Sequence, residues 1–126
     1  MELIDYKQSN YMDFFKSIVD VIPVPAAITT FDCYEPLVLH TNALHEGLTG
    51  YTSDELYYKS PRIFQPIDMD KSEKWDLKER LTKDNYFCNF VHNVNKNGER
   101  YYMKLTITSI RSPFDIKFYI ALKEKF

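Results

Sequence analysis

The sequence predicts an antiparallel α+β domain, with one helix, two strands, small helices and then three strands along the chain. Three observations support this fold class. Apolar residues recur at steps of three and four near the start, a glycine and a capping box bracket two small helices, and the C-terminal third alternates around an Asn-Gly pair. The 126 residues suffice for one hydrophobic core, so we expect one domain.

The first predicted element is an N-terminal amphipathic helix within residues 1–22. Pro23 and Pro25 end it, because proline lacks the backbone N–H that a helix interior needs. Residues 23–126 are then expected to form the core of the domain. The spacing of the apolar residues places them on one face of the helix. These residues are Tyr11, Phe14, Phe15, Ile18 and Ile22.

Two short strands and two short helices are predicted next. Residues 26–30 and 37–41 are apolar runs separated by a polar turn. Residues 42–48 have a helical pattern, and Gly50 follows where a helix end often needs a positive φ. Thr52 and Glu55 have the spacing of a capping box, so a second helix should start at once.

The rest of the chain is predicted to contain one more helix and three strands. A proline-bounded turn comes first, and alternation and the Asn97-Gly98 pair then indicate a hairpin followed by a last strand. The predicted ranges are 59–65 for the turn, 70–83 for the helix, and 86–95, 100–110 and 116–123 for the strands.

Composition and charge argue against several kinds of site. The net charge of −2 is spread over interspersed acids and bases, and no apolar run is long enough to span a bilayer, so we expect no direct nucleic-acid partner and no membrane contact. Cys33 and Cys88 are predicted to be reduced, half-buried thiols. His40, His45 and His92 have no metal-ligand spacing, so no metal site is assigned. No Ser or Cys has a nearby base in the sequence, so no catalytic residue is assigned.

Four short motifs in a fixed order identify a family resemblance. They are Asn42-Ala43-Leu44, Thr49-Gly50-Tyr51, Glu55-Leu56 and Asn95-Lys96-Asn97-Gly98. With the order of elements, they resemble the PAS family of sensory domains over nearly the whole chain. The resemblance implies a five-stranded antiparallel sheet in the spatial order 2-1-5-4-3. Small helices would lie over a pocket on one face.

Residues 60–65 are similar to a motif of the flavin-binding, light-sensing branch of PAS, which is Asn-Cys-Arg-Phe-Leu-Gln. The photoreactive cysteine of that motif falls on Pro61, which has no thiol, so the flavin adduct is not expected. Of the other flavin-contacting positions, Asn93 is kept, whereas Met103 and Lys123 depart from the pattern. Haem is not expected either, because the helix at 70–83 lacks the axial histidine. The resemblance leaves any cofactor unidentified.

The pocket that the resemblance implies gives the predicted site residues. Met103 and Leu105 would line this pocket, although an apolar alternating face is more often plain core than a ligand site. Asn93 and Lys123 need a polar partner inside such a pocket, which could be an anion, a polar ligand or ordered water, although Lys123 could also extend to solvent. The full predicted set is Arg62, Phe64, Asn93, Met103, Leu105, Tyr119 and Lys123.

The other face of the last strand is predicted to be apolar, because every second residue from Ile116 to Leu122 is a large hydrophobe. Such a face needs cover, either from the N-terminal helix or from a second subunit. We predict a homodimer contact there. It would use Phe14, Phe15, Ile18, Phe118 and Ile120.

The function implied by the resemblance is sensory and not enzymatic. The chain would be a cytoplasmic segment of a longer signalling protein, and would bind a small ligand. It would relay a change in packing through dimer contacts to an output domain such as a histidine kinase or a diguanylate cyclase. The alternative is a ligand-free dimerisation scaffold. A flavin photoreceptor is a third reading, against which Pro61 argues.

Overall fold

The computed structural model describes residues 4–32, 34–69 and 71–125, and it contains five strands, four α-helices and one 3-10 turn. The helices are α1 (Ser9–Val19), α2 (Ala43–Thr49), α3 (Ser53–Leu56) and α4 (Lys71–Asp84), and the 3-10 turn is Pro61–Phe64. The strands are β1 (Ala26–Thr30), β2 (Val38–Thr41), β3 (Tyr86–Val94), β4 (Arg100–Arg111) and β5 (Lys117–Lys125). They form one antiparallel sheet in the order β2-β1-β5-β4-β3, which confirms the predicted fold class.

Every predicted element occurs. Strand β1 has the predicted bounds, and the ends of the other elements are shifted. The largest difference is in α1, which begins at Ser9 instead of filling residues 1–22. The Asp5 carboxylate accepts a hydrogen bond from the backbone N–H of Lys7 at 3.0 Å, and this turn precedes the helix. Of the predicted elements, residues 1–3, Asp70 and residue 126 lie outside the described residues, as does Cys33.

The junction between α2 and α3 follows the predicted capping chemistry. The Asn42 side chain accepts a hydrogen bond from the backbone N–H of His45 at 2.9 Å, and Gly50 ends α2 with a φ of 80°. At the start of α3, Thr52 and Glu55 each accept a hydrogen bond from the other's backbone N–H. The capping box is therefore confirmed.

The turn between β3 and β4 is wider than an isolated Asn-Gly turn. Of the pair, Gly98 has a positive φ, 82°, whereas Asn97 does not. The side chain of Asn95 accepts hydrogen bonds from the backbone N–H groups of Asn97 and Glu99, both at 3.0 Å. This local acceptor holds the loop in shape, so Asn97 does not need the left-handed conformation that the sequence suggested.

Helix α1 covers the outer face of its own sheet. Phe15 of α1 and Phe118 of β5 are fully buried, with their ring centroids 5.2 Å apart. Ile120 is buried in the same cluster, whereas Phe14 and Ile18 are only partly buried. The predicted apolar face is thus confirmed, whereas the predicted homodimer contact stays a prediction. Within the single chain, α1 already buries Phe15, Phe118 and Ile120.

Replacing Gly50 with alanine should destabilise the fold, because Gly50 has a left-handed backbone and a close neighbour. A Cβ built there lies 3.1 Å from the Cβ of Lys96, whose backbone N–H donates to the Thr49 carbonyl at 2.8 Å. We expect Gly50→Ala to lower the free energy of unfolding by about 1–2 kcal/mol, measured by denaturant titration. The matched control is Gly47→Ala in α2, where a Cβ meets nothing within 4 Å. Equal stability of the two variants would contradict this account.

Candidate functional site

A cavity of about 370 Å³ lies between the inner face of the sheet and the segments that cover it. Strands β1, β3, β4 and β5 form its floor, and the 3-10 turn and α4 form much of the opposite wall. Its volume is within the range of small-molecule sites, roughly 300–1,000 Å³. The cavity is therefore large enough for a compact organic ligand.

The cavity wall combines an apolar surface with cationic side chains. The apolar surface comes mainly from Leu77, Leu81, Val91, Leu105 and Ile107. The charged residues are Arg62, Lys78 and Lys123, and the lining residues that the structure describes include no aspartate or glutamate. The wall thus favours a ligand with an apolar body and a negative group.

Lys123 is the most unusual residue of this wall. It is 4% exposed, and its Nζ has no hydrogen-bond partner within the described part of the chain. The Nζ lies 3.5 Å from the centroid of the Phe64 ring, which provides a cation–π contact. Burial lowers the pKa of the Lys123 ammonium from 10.5 to about 7. The alternative that Lys123 extends to solvent is wrong.

Six of the seven predicted site residues line the cavity. Asn93 is buried there and donates from Nδ2 to its neighbour's carbonyl, that of His92, at 2.9 Å. Arg62 is exposed and pairs with Glu35 at 3.3 Å. The six residues are Arg62, Phe64, Asn93, Leu105, Tyr119 and Lys123.

Met103 is the exception among the predicted site residues. It is fully buried on the same face of β4 as Leu105, but it is not one of the residues that line the cavity. In the sheet it lies opposite Lys125 of β5 and Val91 of β3. Met103 therefore packs as core in this structure, and Leu105 and Ile107 form the cavity wall on β4.

His45 lies beside this site and was missed in the sequence. Its ring is fully buried at 5.5 Å from the Phe64 ring, and neither ring nitrogen has a described partner. Burial, and secondarily the charge of Lys123, lower the pKa of His45 to about 2, so the ring is neutral. One signal could have found it. His45 and Thr49 are four residues apart and therefore share one face of α2, the face that is buried.

Comparison with solved structures identifies the architecture. A d2 variant of RsLOV superposes with a TM-score of 0.80 at 18% identity, covering 94% of this chain and 68% of that one. The LOV protein of Rhodobacter sphaeroides gives a TM-score of 0.78 at 18% identity, over 98% of this chain and 69% of that one.

The chain has the PAS fold. It resembles the light-oxygen-voltage branch in structure, as the sequence resemblance predicted. A third PAS structure, an RNA-binding light-oxygen-voltage receptor, has a TM-score of 0.77 at 14% identity, with coverage of 94% of this chain and 34% of that one. No protein-family model matches the chain.

The PAS cavity does not fit the flavin chemistry of that branch. Pro61, at the cavity wall, begins the 3-10 turn where the sequence motif places the reactive cysteine, and proline cannot form the adduct. Met103 does not line the cavity, and Lys123 brings a buried amine to the position expected for glutamine. Asn93 alone keeps the expected side chain among these positions.

Among the side chains that the structure describes, no group of three His, Cys, Asp or Glu residues is placed to hold a metal. The described helices are too short or too polar to cross a membrane. Cys88 is a partly buried free thiol, as predicted, whereas Cys33 lies outside the described residues.

Proposed function

We propose that this PAS domain is a non-enzymatic sensory module that binds a small organic ligand in the cavity beneath α4. The single observation that carries the proposal is the buried Lys123 amine without a hydrogen-bond partner at the wall of a ligand-sized cavity. Buried polar groups in proteins are nearly always hydrogen-bonded, so a group left without a partner points to a missing one.

We propose that ligand binding is relayed through strand β5, from the cavity to the cluster beneath α1. Tyr119 and Lys123 face the cavity, and the alternate residues Phe118 and Ile120 pack in the cluster that contains Phe15 of α1. A ligand that favours one packing of this strand would shift the equilibrium toward it, by no more than its difference in affinity for the two packings. The receiver would be an output domain, such as a histidine kinase or a diguanylate cyclase, in a longer cytoplasmic protein.

Native mass spectrometry of the purified chain, followed by denaturing mass spectrometry of the same sample, tests ligand binding. We expect a small molecule that stays bound in the native spectrum and is lost on denaturation. The matched variant is Ala121→Leu, which adds volume inside the cavity wall. Circular dichroism should show that this variant is folded, and its native spectrum should lack the mass of the bound molecule.

The opposite result would favour the alternative function. A persistently empty wild-type chain, with no thermal shift across a metabolite library, would indicate a ligand-free dimerisation scaffold, since a ligand that binds the folded state must raise its stability. Visible absorbance of the same sample detects a bound flavin or haem. The predicted homodimer stays a prediction, for which light scattering gives the mass in solution.

A further inference from the structure

We propose that the ligand of this cavity is an organic acid with an apolar body, whose carboxylate pairs with the Nζ of Lys123. This inference rests on the proposed function and adds the chemical class of the ligand. Its basis is the position of Lys123, whose amine lies at an apolar cavity wall and contacts the face of the Phe64 ring.

The N–H groups of the Lys123 amine have no hydrogen-bond acceptor among the described residues. An ammonium has three N–H donors, and the face of the Phe64 ring can interact with at most one of them. The Asn93 side chain donates its Nδ2 to a backbone carbonyl, and His45, the nearby titratable ring, is fully buried without a described partner. An external acceptor is therefore needed to complete the hydrogen bonding of Lys123.

The protein supplies no described anion to this amine. No described lining residue is an aspartate or glutamate, and Lys78 and Arg62 add further positive charge to the wall. Glu35, which lies near Arg62, pairs with that guanidinium at 3.3 Å in an exposed position. A negative charge that enters the cavity therefore meets cations and no described carboxylate, and burial strengthens the attraction.

The apolar residues of the cavity wall favour a ligand with a hydrocarbon body. Leu77, Leu81, Val91, Leu105 and Ile107 present hydrocarbon to the cavity, so an aromatic or aliphatic group gains by leaving water. One buried amine matches the single charge of a carboxylate. A phosphate or other dianion would need more buried donors than this wall offers.

Two acids and their neutral counterparts test the inference. The probes are 2-naphthoate and octanoate, each compared with its primary amide, and the measurement is titration of the full chain followed by ¹H–¹⁵N correlation spectra. We expect each acid to bind at least about tenfold more tightly than its amide, with shifts centred on Lys123, Asn93 and Leu105.

The variants separate the buried amine from general charge attraction. Lys123→Met should remove the preference for acid over amide, while the amides still bind. The control is Lys125→Met on the same strand, which removes an exposed lysine that does not line the cavity and should keep the preference. Lys123→Arg, which keeps a cation, should retain at least part of it. Backbone spectra check that each variant is folded.

Three outcomes would overturn the inference. They are equal affinity for acids and amides, a preference that survives Lys123→Met, and no binding of either acid at about 1 mM. Equal affinity for acids and amides would contradict an acidic ligand but would not contradict the proposed ligand-binding function. An empty cavity in native mass spectrometry would instead remove the proposed function. The two failures are therefore distinguishable.

Discussion

Lys123→Met should make the ligand-free protein more stable at neutral pH. Burial lowers the pKa of this ammonium from 10.5 to about 7, so folding at pH 7 must either bury a charge or release a proton. A pKa unit corresponds to about 1.4 kcal/mol, so the expected gain in the free energy of unfolding is on the order of 3–5 kcal/mol. Methionine has similar length and fills the same apolar space without charge.

The stability difference between Lys123→Met and wild type should depend on pH in a defined direction. Between pH 7 and 10.5 the unfolded chain holds a proton on Lys123 that the folded chain has released, so wild-type stability rises with pH in this window. The advantage of Lys123→Met should be full below about pH 7 and should shrink toward pH 10. The two proteins differ only at this residue, so the difference in their stability at each pH measures the contribution of Lys123.

Denaturant titrations of both proteins at several pH values measure this difference. Lys125→Met is the matched control, since Lys125 is an exposed lysine on the same strand. We expect it to change stability by less than about 0.5 kcal/mol at every pH. A Lys123→Met protein less stable than wild type at pH 7 would show that the amine has a stabilising partner in the folded chain.

Asn42→Ala should cause the largest loss of stability, because one buried side chain joins three segments. Its Oδ1 accepts from two backbone N–H groups, and its Nδ2 donates toward three carbonyls between α1 and β1. The N–H donors are Ala26 at 3.1 Å and His45 at 2.9 Å, and the carbonyls are Val19 at 3.2 Å, Ile22 at 3.3 Å and Val24 at 2.9 Å. Removal leaves several buried polar groups unsatisfied, so we expect a loss of about 3–5 kcal/mol.

Two further variants show whether hydrogen bonding causes this loss. Asn42→Asp keeps the oxygen that accepts from Ala26 and His45 but sets a carboxylate against carbonyls, so it should also be strongly destabilised at pH 7 and recover partly in acid. Asn97→Ala, in the exposed hairpin loop, should change stability by less than about 0.5 kcal/mol. Thermal melts that place Asn42→Ala within a degree of Asn97→Ala would contradict the structural role.

The elements that the sequence predicted best are those with local causes. The capping box at Thr52 and Glu55 and the left-handed Gly50 depend on neighbouring backbone groups, so a short stretch of sequence contains the whole interaction. Alternation along β5 likewise separates its two faces correctly. Alternation in the sequence is enough to assign the two faces of a strand when each face packs against a different layer of the domain.

The features that the sequence did not predict depend on contacts between distant segments. Whether α1 covers its own sheet or a partner's depends on the path of residues 20–25, which periodicity does not describe. The burial of His45 and the exclusion of Met103 from the cavity wall depend on where α2 and the 3-10 turn meet the sheet.

The two-faced packing of β5 has a consequence for sequence variation. From Phe118 to Lys123, successive side chains enter either the core beneath α1 or the cavity wall, so this stretch has no fully exposed position. Strand β3 differs, because its Tyr86 and Phe90 are about half exposed. Related sequences should therefore diverge freely on the outer side of β3, while β5 changes only when a residue in α1 or around the cavity changes with it.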